Sequence, residues 1–132
     1  MDVIEIKTSQ KHEVVNLTQR LCRLLIEKKY EDGVLTVFVP HTTAGIFINE
    51  GADPDVSRDI LAVMKQRIAP EDFDYHHAEG NSPAHVGSVV CGSSVQVIVE
   101  DFVMKLGAWQ GVFFAEFDGP RSRQVWVKFL AY

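Results

Sequence analysis

Histidine and arginine carry most of the chemistry this sequence can offer. Four of its five histidines, His41, His76, His77 and His85, fall within 45 residues. Imidazole changes charge near neutral pH, so it serves as a general acid or base, and its unprotonated nitrogen ligates divalent transition metals. His41 opens the run His41-Thr42-Thr43-Ala44-Gly45, directly after an apolar stretch. An imidazole and two hydroxyls at the exit of a buried strand suit ligand binding, although the threonines would equally satisfy a turn's backbone groups. His77 and His85 stand eight positions apart, with Asn81 between them. A loop folded back onto a short helix would bring both rings to one point. With His41 they form a three-histidine set, suited to a divalent metal such as zinc with an open position. The spacing matches no recognised ligand motif of the His-Glu-x-x-His kind, and a metal-free set of proton-transfer groups explains the same residues. His76 and His12 are expected to be solvated.

Asp118-Gly119-Pro120-Arg121-Ser122-Arg123 reads as a tight turn presenting two guanidinium groups. Their planar forks suit phosphate or carboxylate, and the alternative is an ordinary charged hairpin tip. Among the carboxylates, Asp53 is best explained as a helix cap, because Pro54 follows it at the first helical position. Asp59 lies about 60° from Val56 around that helix, on the flank of the apolar stripe, where a carboxylate needs a partner. Glu50, beside Asn49, has no structural role that the sequence supplies. Trp109-Gln110-Gly111 opens a strand, and its tryptophan reads as core or as a subunit contact.

The elements that must position these groups follow from periodicity. Val3 to Lys7 alternates as a short strand. A helix is expected from about residue 12 to 30, on the stripe Val14, Leu17, Leu21, Leu24 and Leu25, and Glu31-Asp32-Gly33 ends it. Val34 to Val39 is nearly continuous and β-branched, which predicts a strand buried on both faces. Ala44 to Ile48 is a further strand, and a second helix runs from Pro54 to about 69. Residues 70–83 have no period, and so long an irregular connection is usually functional or mobile. A short helix over about 84–90 follows. Three strands close the chain: Val95 to Val99 with its neighbours to Leu106, Val112 to Phe117, and Gln124 to Leu130. Turns at Gly107, Gly111 and Gly119-Pro120 predict antiparallel hairpins among them. Regular strand–helix alternation is absent, so the expected class is α+β, a single domain over 1–132 with a mostly antiparallel sheet, two main helices and a short third.

At 132 residues, 46% apolar and 23% charged, the chain is long enough for one domain with its own core. No run approaches the roughly 18 apolar residues of a membrane span, and no targeting peptide is visible, so a cytoplasmic protein that does not enter membranes is expected. Cys22 and Cys91 are too few for a disulfide framework and lack the electropositive setting of a nucleophile. The net charge is −5, and residues 41–100 alone carry −6. Such a chain has no basic stripe for nucleic acid, while its acidic middle fits either a bound cation or a solvated surface. Phosphate-binding glycine loops and the Gly-x-Ser-x-Gly hydrolase motif are absent.

Taken in order, His41-Thr42-Thr43-Ala44, Asn49-Glu50, Asp53-Pro54 with Asp59, Tyr75-x-His77 with Asn81 and Ala84-His85, Trp109-Gln110-Gly111, and Glu116-x-Asp118-Gly119-Pro120-Arg121-x-Arg123 resemble the YjbQ-like family, labelled "secondary thiamine-phosphate synthase enzyme". The resemblance spans nearly the whole chain. It implies a bifurcated antiparallel sheet and a homotrimer. It also implies a side activity that forms thiamine phosphate from a pyrimidine diphosphate and a thiazole phosphate. Carried over by position, it marks His41, Asn49, Glu50, Asp59, His77, His85, Gln110, Glu116 and Arg121.

The resulting expectation is a small enzyme acting on a phosphorylated small molecule. His41, Glu50, Asp59, His77, His85 and Glu116 would be catalytic, and Thr42, Asn49, Asn81, Gln110, Arg121 and Arg123 would bind substrate. His41, His77 and His85 would be the ligands if a metal is held. A metal-dependent hydrolase and a non-catalytic module for a phosphorylated metabolite are the alternatives.

Overall fold

The computed structural model describes all residues 1–132. Its strands are β1 (Asp2–Lys7), β2 (Glu13–Asn16), β3 (Gly33–Phe38), β4 (Ala44–Glu50), β5 (Ser94–Glu100), β6 (Val103–Met104), β7 (Gln110–Glu116) and β8 (Ser122–Ala131). Its helices are α1 (Thr18–Glu27), α2 (Pro54–Val63) and α3 (Ser82–Cys91), and a π-helical turn over Met64–Ile68 prolongs α2. The fold is α+β, as the element order predicts. The strands form two sheets, ordered β1-β8-β3-β5-β6 and β2-β7-β4, with every pair antiparallel.

Strand alternation says how these sheets stack. In β7, Val112 and Phe114 join the main core, whereas Ala115 and, just beyond the strand, Phe117 join a smaller apolar cluster. The first set faces the larger sheet, meeting Leu35, Val37, Val97, Val99, Val125 and Val127, and Leu17, Leu21 and Leu25 run along α1 into the same core. The second set faces α3 and the end of α2, through Ala84, Leu61 and Met64. Burying a side chain of this size is worth about 1.5–3 kcal/mol, so the inner layer supplies most of the cohesion.

Three local expectations are corrected. Residues 13–16 are a strand rather than the first turn of α1. Val14 stands three residues before Leu17, so helical spacing extends by coincidence into a β-branched pair that hydrogen-bonds along β7. Asn16 Oδ1 then accepts the Thr18 N–H at 3.0 Å, and the helix starts there. β3 is buried on one face only, since Leu35 and Val37 are covered but Val34 and Thr36 are half-buried and Phe38 is exposed. The closing strands are also not a run of hairpins. Only β5 and β6 pair with each other, while β7 lies between β2 and β4 and β8 lies between β1 and β3.

The chain therefore changes sheets between Glu116 and Ser122, and the corner is built around a buried ion pair. Glu116 is 0% exposed and Arg123 is 5% exposed. Arg123 donates Nε to Glu116 Oε2 at 2.8 Å and Nη2 to Oε1 at 2.5 Å, and Nη2 also reaches Thr43 Oγ1 at 2.8 Å. Thr8 Oγ1 donates to Glu116 at 2.9 Å, as does the Asp118 N–H at 3.0 Å. A side chain on Gly119 would stand 2.2 Å from the Gln10 carbonyl oxygen, so only glycine lets the corner close this tightly.

A buried pair that loses one member leaves an uncompensated charge. Glu116→Ala is expected to cost about 3–5 kcal/mol in urea unfolding, and replacing both members together by Leu and Met should cost much less. The pH dependence has a definite sign. Burial pushes the Glu116 carboxyl up, but the Arg123 guanidinium and the Asp118 and Thr8 donors outweigh it and hold the group below the usual carboxylate range. Its contribution is complete above the unfolded value of about 4.3 and is lost as pH falls toward the folded one. Acid titrations of stability should therefore show a shallower acid limb in Glu116→Gln.

Candidate functional site

Beside this corner lies a cavity of about 460 Å³ lined by polar and charged side chains and Pro40. Three separate stretches of chain meet there: His41 to Thr43 between β3 and β4, the loop and helix start from His77 to His85, and the corner from Asp118 to Arg123. His41, His77 and His85, expected to share a site, all line this one cavity. The His77 and His85 rings stand edge to face, with centroids 5.4 Å apart.

His85 and His41 are delivered by different local devices. Asn81 precedes α3, and Pro83 sits in its first turn, where proline's missing N–H costs nothing. The helix thus turns His85 toward the loop that carries His77. α3 approaches β4 closely because Gly45 has no side chain; a Cβ there would lie 2.8 Å from Cys91 and from the Gly92 carbonyl oxygen. Ser88 Oγ donates to the Ala44 carbonyl at 2.7 Å and locks that contact. His41 is held differently. β3 pairs with β8 as far as Phe38 opposite Trp126, and the chain then leaves through Val39, whose N–H donates to Ser93. Gln124, next but one along β8, donates its N–H to His41 Nε2 at 2.9 Å instead of to a strand carbonyl. Burial and then the Arg123 charge lower the His41 pKa from the ordinary imidazole value, which favours the neutral ring.

The cations are partly committed. Arg121 donates Nε and Nη2 to Asp118, at 2.7 Å to its carbonyl and 2.9 Å to its carboxylate. Burial pushes the Asp118 carboxyl up, but the Asn81 amide and Arg121 hold it below its ordinary value. Arg121 and Arg123 each keep Nη1 without a hydrogen-bond partner in the chain. Asn81 donates to Asp118 at 3.0 Å, while its buried Oδ1 has no partner. Thr42 is exposed on the rim. Glu79 and Asp118 also line the cavity; the sequence marks Asp118 only as part of the turn, and its (i, i+3) spacing from Arg121 is the signal that the two pair. Glu116, expected to be catalytic, does not line the cavity; its carboxylate is taken up by the Arg123, Thr8 and Asp118 donors.

Four of the expected residues are elsewhere. Ala44 is opposite Glu116 at the histidine end of β4, and Glu50 is opposite Gln110 at the other end. Six strand steps put these ends about 20 Å apart. Asn49, Glu50 and Gln110 are thus remote from the histidines within one chain, and Asp59 is on α2, exposed, with no ion pair or hydrogen bond. Glu50 turns out to have a structural role: its carboxylate accepts the Ala52 N–H at 2.8 Å and the Asp53 N–H at 3.4 Å. Asp53 caps α2 as expected, accepting the Asp55 N–H at 3.0 Å. Gln110 Oε1 accepts the Gly107 N–H at 2.8 Å, closing the turn before β7. Trp109, expected in a core or a contact, is 69% exposed in the single chain. Burial pushes the Cys91 thiol up to about 11, so it stays protonated.

The donor set does not fit a metal. No group of three His, Cys, Asp or Glu side chains stands in metal-holding geometry. His41 offers its lone pair on Nε2 to Gln124 rather than to the cavity. As arranged, the three rings do not form a three-histidine ligand set. No helix is long and apolar enough to cross a membrane. The Glu50 assignment is testable: Glu50→Ala should cost about 1 kcal/mol in urea unfolding, as the loss of a cap does, and Glu50→Gln, which keeps an acceptor, should recover most of it.

Comparison with known proteins fits this description. The family model for the UPF0047 protein YjbQ-like family matches residues 2–132. The UPF0047 protein MJ1081 of Methanocaldococcus jannaschii is 46% identical over 126 residues, covering 96% of this chain and 91% of its own. The UPF0047 protein YugU of Bacillus subtilis is 41% identical over 130 residues, covering 98% of each chain. The crystal structure of an uncharacterized conserved protein of the YjbQ/UPF0047 family from Clostridium acetobutylicum superposes with a TM-score of 0.94 at 47% identity, covering 98% of this chain and 100% of its own. The chain belongs to the UPF0047 YjbQ-like family.

Proposed function

We propose that the histidine–arginine cavity binds a phosphorylated small molecule and acts on it as an enzyme. Formation of thiamine phosphate from a pyrimidine diphosphate and a thiazole phosphate, the activity implied by the sequence resemblance, is one reaction of that class. The observation that carries this reading is the meeting of three imidazoles and two partly free guanidiniums in one polar cavity. Nη1 of Arg121 and of Arg123 would take phosphate oxygens, and a departing diphosphate would be stabilised by the same charges. The positive end of α3 opens on the cavity through Asn81 and His85 and adds to this preference for anions. His77 and His85 would move the proton that such a transfer requires.

In a homotrimer, the assembly that the resemblance implies, the remote Asn49, Gln110 and Trp109 would reach a histidine cavity only from a neighbouring copy. Their separation of about 20 Å from the histidines within one chain supports that reading. A location in the cytoplasm accords with this choice of substrate.

The test is turnover by His77→Ala, His85→Ala and Arg121→Ala variants, each checked for folding by circular dichroism. Loss of thiamine phosphate formation by at least tenfold in the histidine variants, with weakened diphosphate binding in Arg121→Ala, is expected. Unchanged turnover in folded His77→Ala and His85→Ala would overturn the assignment. Weakened binding with no turnover to lose would favour the non-catalytic module, and turnover abolished by a chelator would favour the metal-dependent hydrolase.

A further inference from the structure

The three histidines are not equivalent, and the difference assigns one of them a particular role. His77 and His85 face each other across the mouth of α3, and no hydrogen bond to backbone ties either ring. His41 is anchored: its Nε2 accepts the Gln124 N–H at 2.9 Å. A neutral imidazole has one nitrogen with a proton and one with a lone pair. If Nε2 accepts, the proton is on Nδ1. That atom has no hydrogen-bond partner in the chain and is not buried, so it is open to solvent on a residue that lines the cavity.

We infer that His41 is a fixed, neutral hydrogen-bond donor, presenting Nδ1–H to an acceptor oxygen of the bound anion rather than a lone pair to a cation or a substrate proton. This deepens the anion-binding reading above and rests on it. The orientation comes from the backbone. Pro40 stands where the next ladder partner of Gln124 would be, two residues beyond the Phe38–Trp126 pair, and the diverging chain leaves the Gln124 N–H for a side chain to satisfy. The charge state comes first from burial and then from the Arg123 guanidinium, both of which disfavour imidazolium. Glu116 and Thr43 hold that guanidinium in place, which makes Glu116 a positioning residue for the site. A ring used in this way has no lone pair left for a metal. It also cannot begin as a general base through Nδ1, so proton abstraction falls to His77 or His85.

Two measurements separate this inference from the reading it rests on. Long-range ¹H–¹⁵N correlation on the free protein at about pH 8, above the ordinary imidazole range, reports the tautomer directly. His41 should show a protonated Nδ1 and an unprotonated Nε2; the reverse pattern overturns the inference whatever the site binds. The second measurement is titration with inorganic diphosphate. His41→Ala should weaken its binding about tenfold to a hundredfold, the effect of removing one hydrogen bond to a charged group. His41→Asn, whose amide nitrogen takes the position of Nδ1, should restore most of the affinity. Equal binding by wild type, His41→Ala and His41→Asn would overturn the donor role even with the expected tautomer. Failure of the wild type to bind diphosphate would defeat the anion reading itself, and the donor role with it, while leaving the tautomer result intact.

Discussion

The buried pair between Glu116 and Arg123 is the constraint from which the rest of the molecule can be reasoned. One member ends a strand of the three-stranded sheet and the other begins a strand of the five-stranded sheet. Both project into the space between them, so the charge of each is tolerable only while the other is present. The pair thereby fixes the angle at which the chain turns from β7 into β8. It draws in Thr8, just after β1, and Thr43 from the approach to β4, so the chain around the ends of two strands and the starts of two others shares one polar knot. A hydrophobic replacement of similar volume would hold the sheets together as well. It would not supply the guanidinium charge that acts on His41.

Much of the fold was legible because its elements obey simple periods. The leucine stripe of α1, the proline-capped start of α2 and the alternation in β8 each say what they are. What the sequence could not reveal was partnership. Val14 and Val15 look helical in a window that includes Leu17, and only their pairing with β7 makes them a strand. Val34 to Val39 is apolar enough for full burial, yet its outer face lacks a covering layer in the single chain. The closing strands carry turn residues suited to hairpins, and the chain instead crosses between sheets, because β7 finds its partners in β2 and β4 and β8 in β1 and β3.

The site was legible in its residue types and only partly in its grouping. The three histidines and two arginines were recognisable from imidazole and guanidinium chemistry, and they line one cavity. Glu50 and Gln110 belong to the same sequence pattern but stand at the far end of β4 and β7, closing turns. A pattern of polar residues does not distinguish a group that meets ligand from one that shapes a loop. Asp118 illustrates the converse: it resembles an ordinary turn residue, yet it positions Arg121 and is held by Asn81.

Because the cavity is stitched from a strand exit, a loop with the helix after it, and an inter-sheet corner, no single element of the chain contains it. Any compound that bridges those three stretches must let go before the protein can melt. Its occupancy therefore adds to global stability by mass action, about 2.7 kcal/mol at a hundredfold excess over its dissociation constant. Thermal-shift screening of phosphorylated metabolites against the intact chain thus becomes a direct route to the natural ligand, with no assumption about which reaction follows.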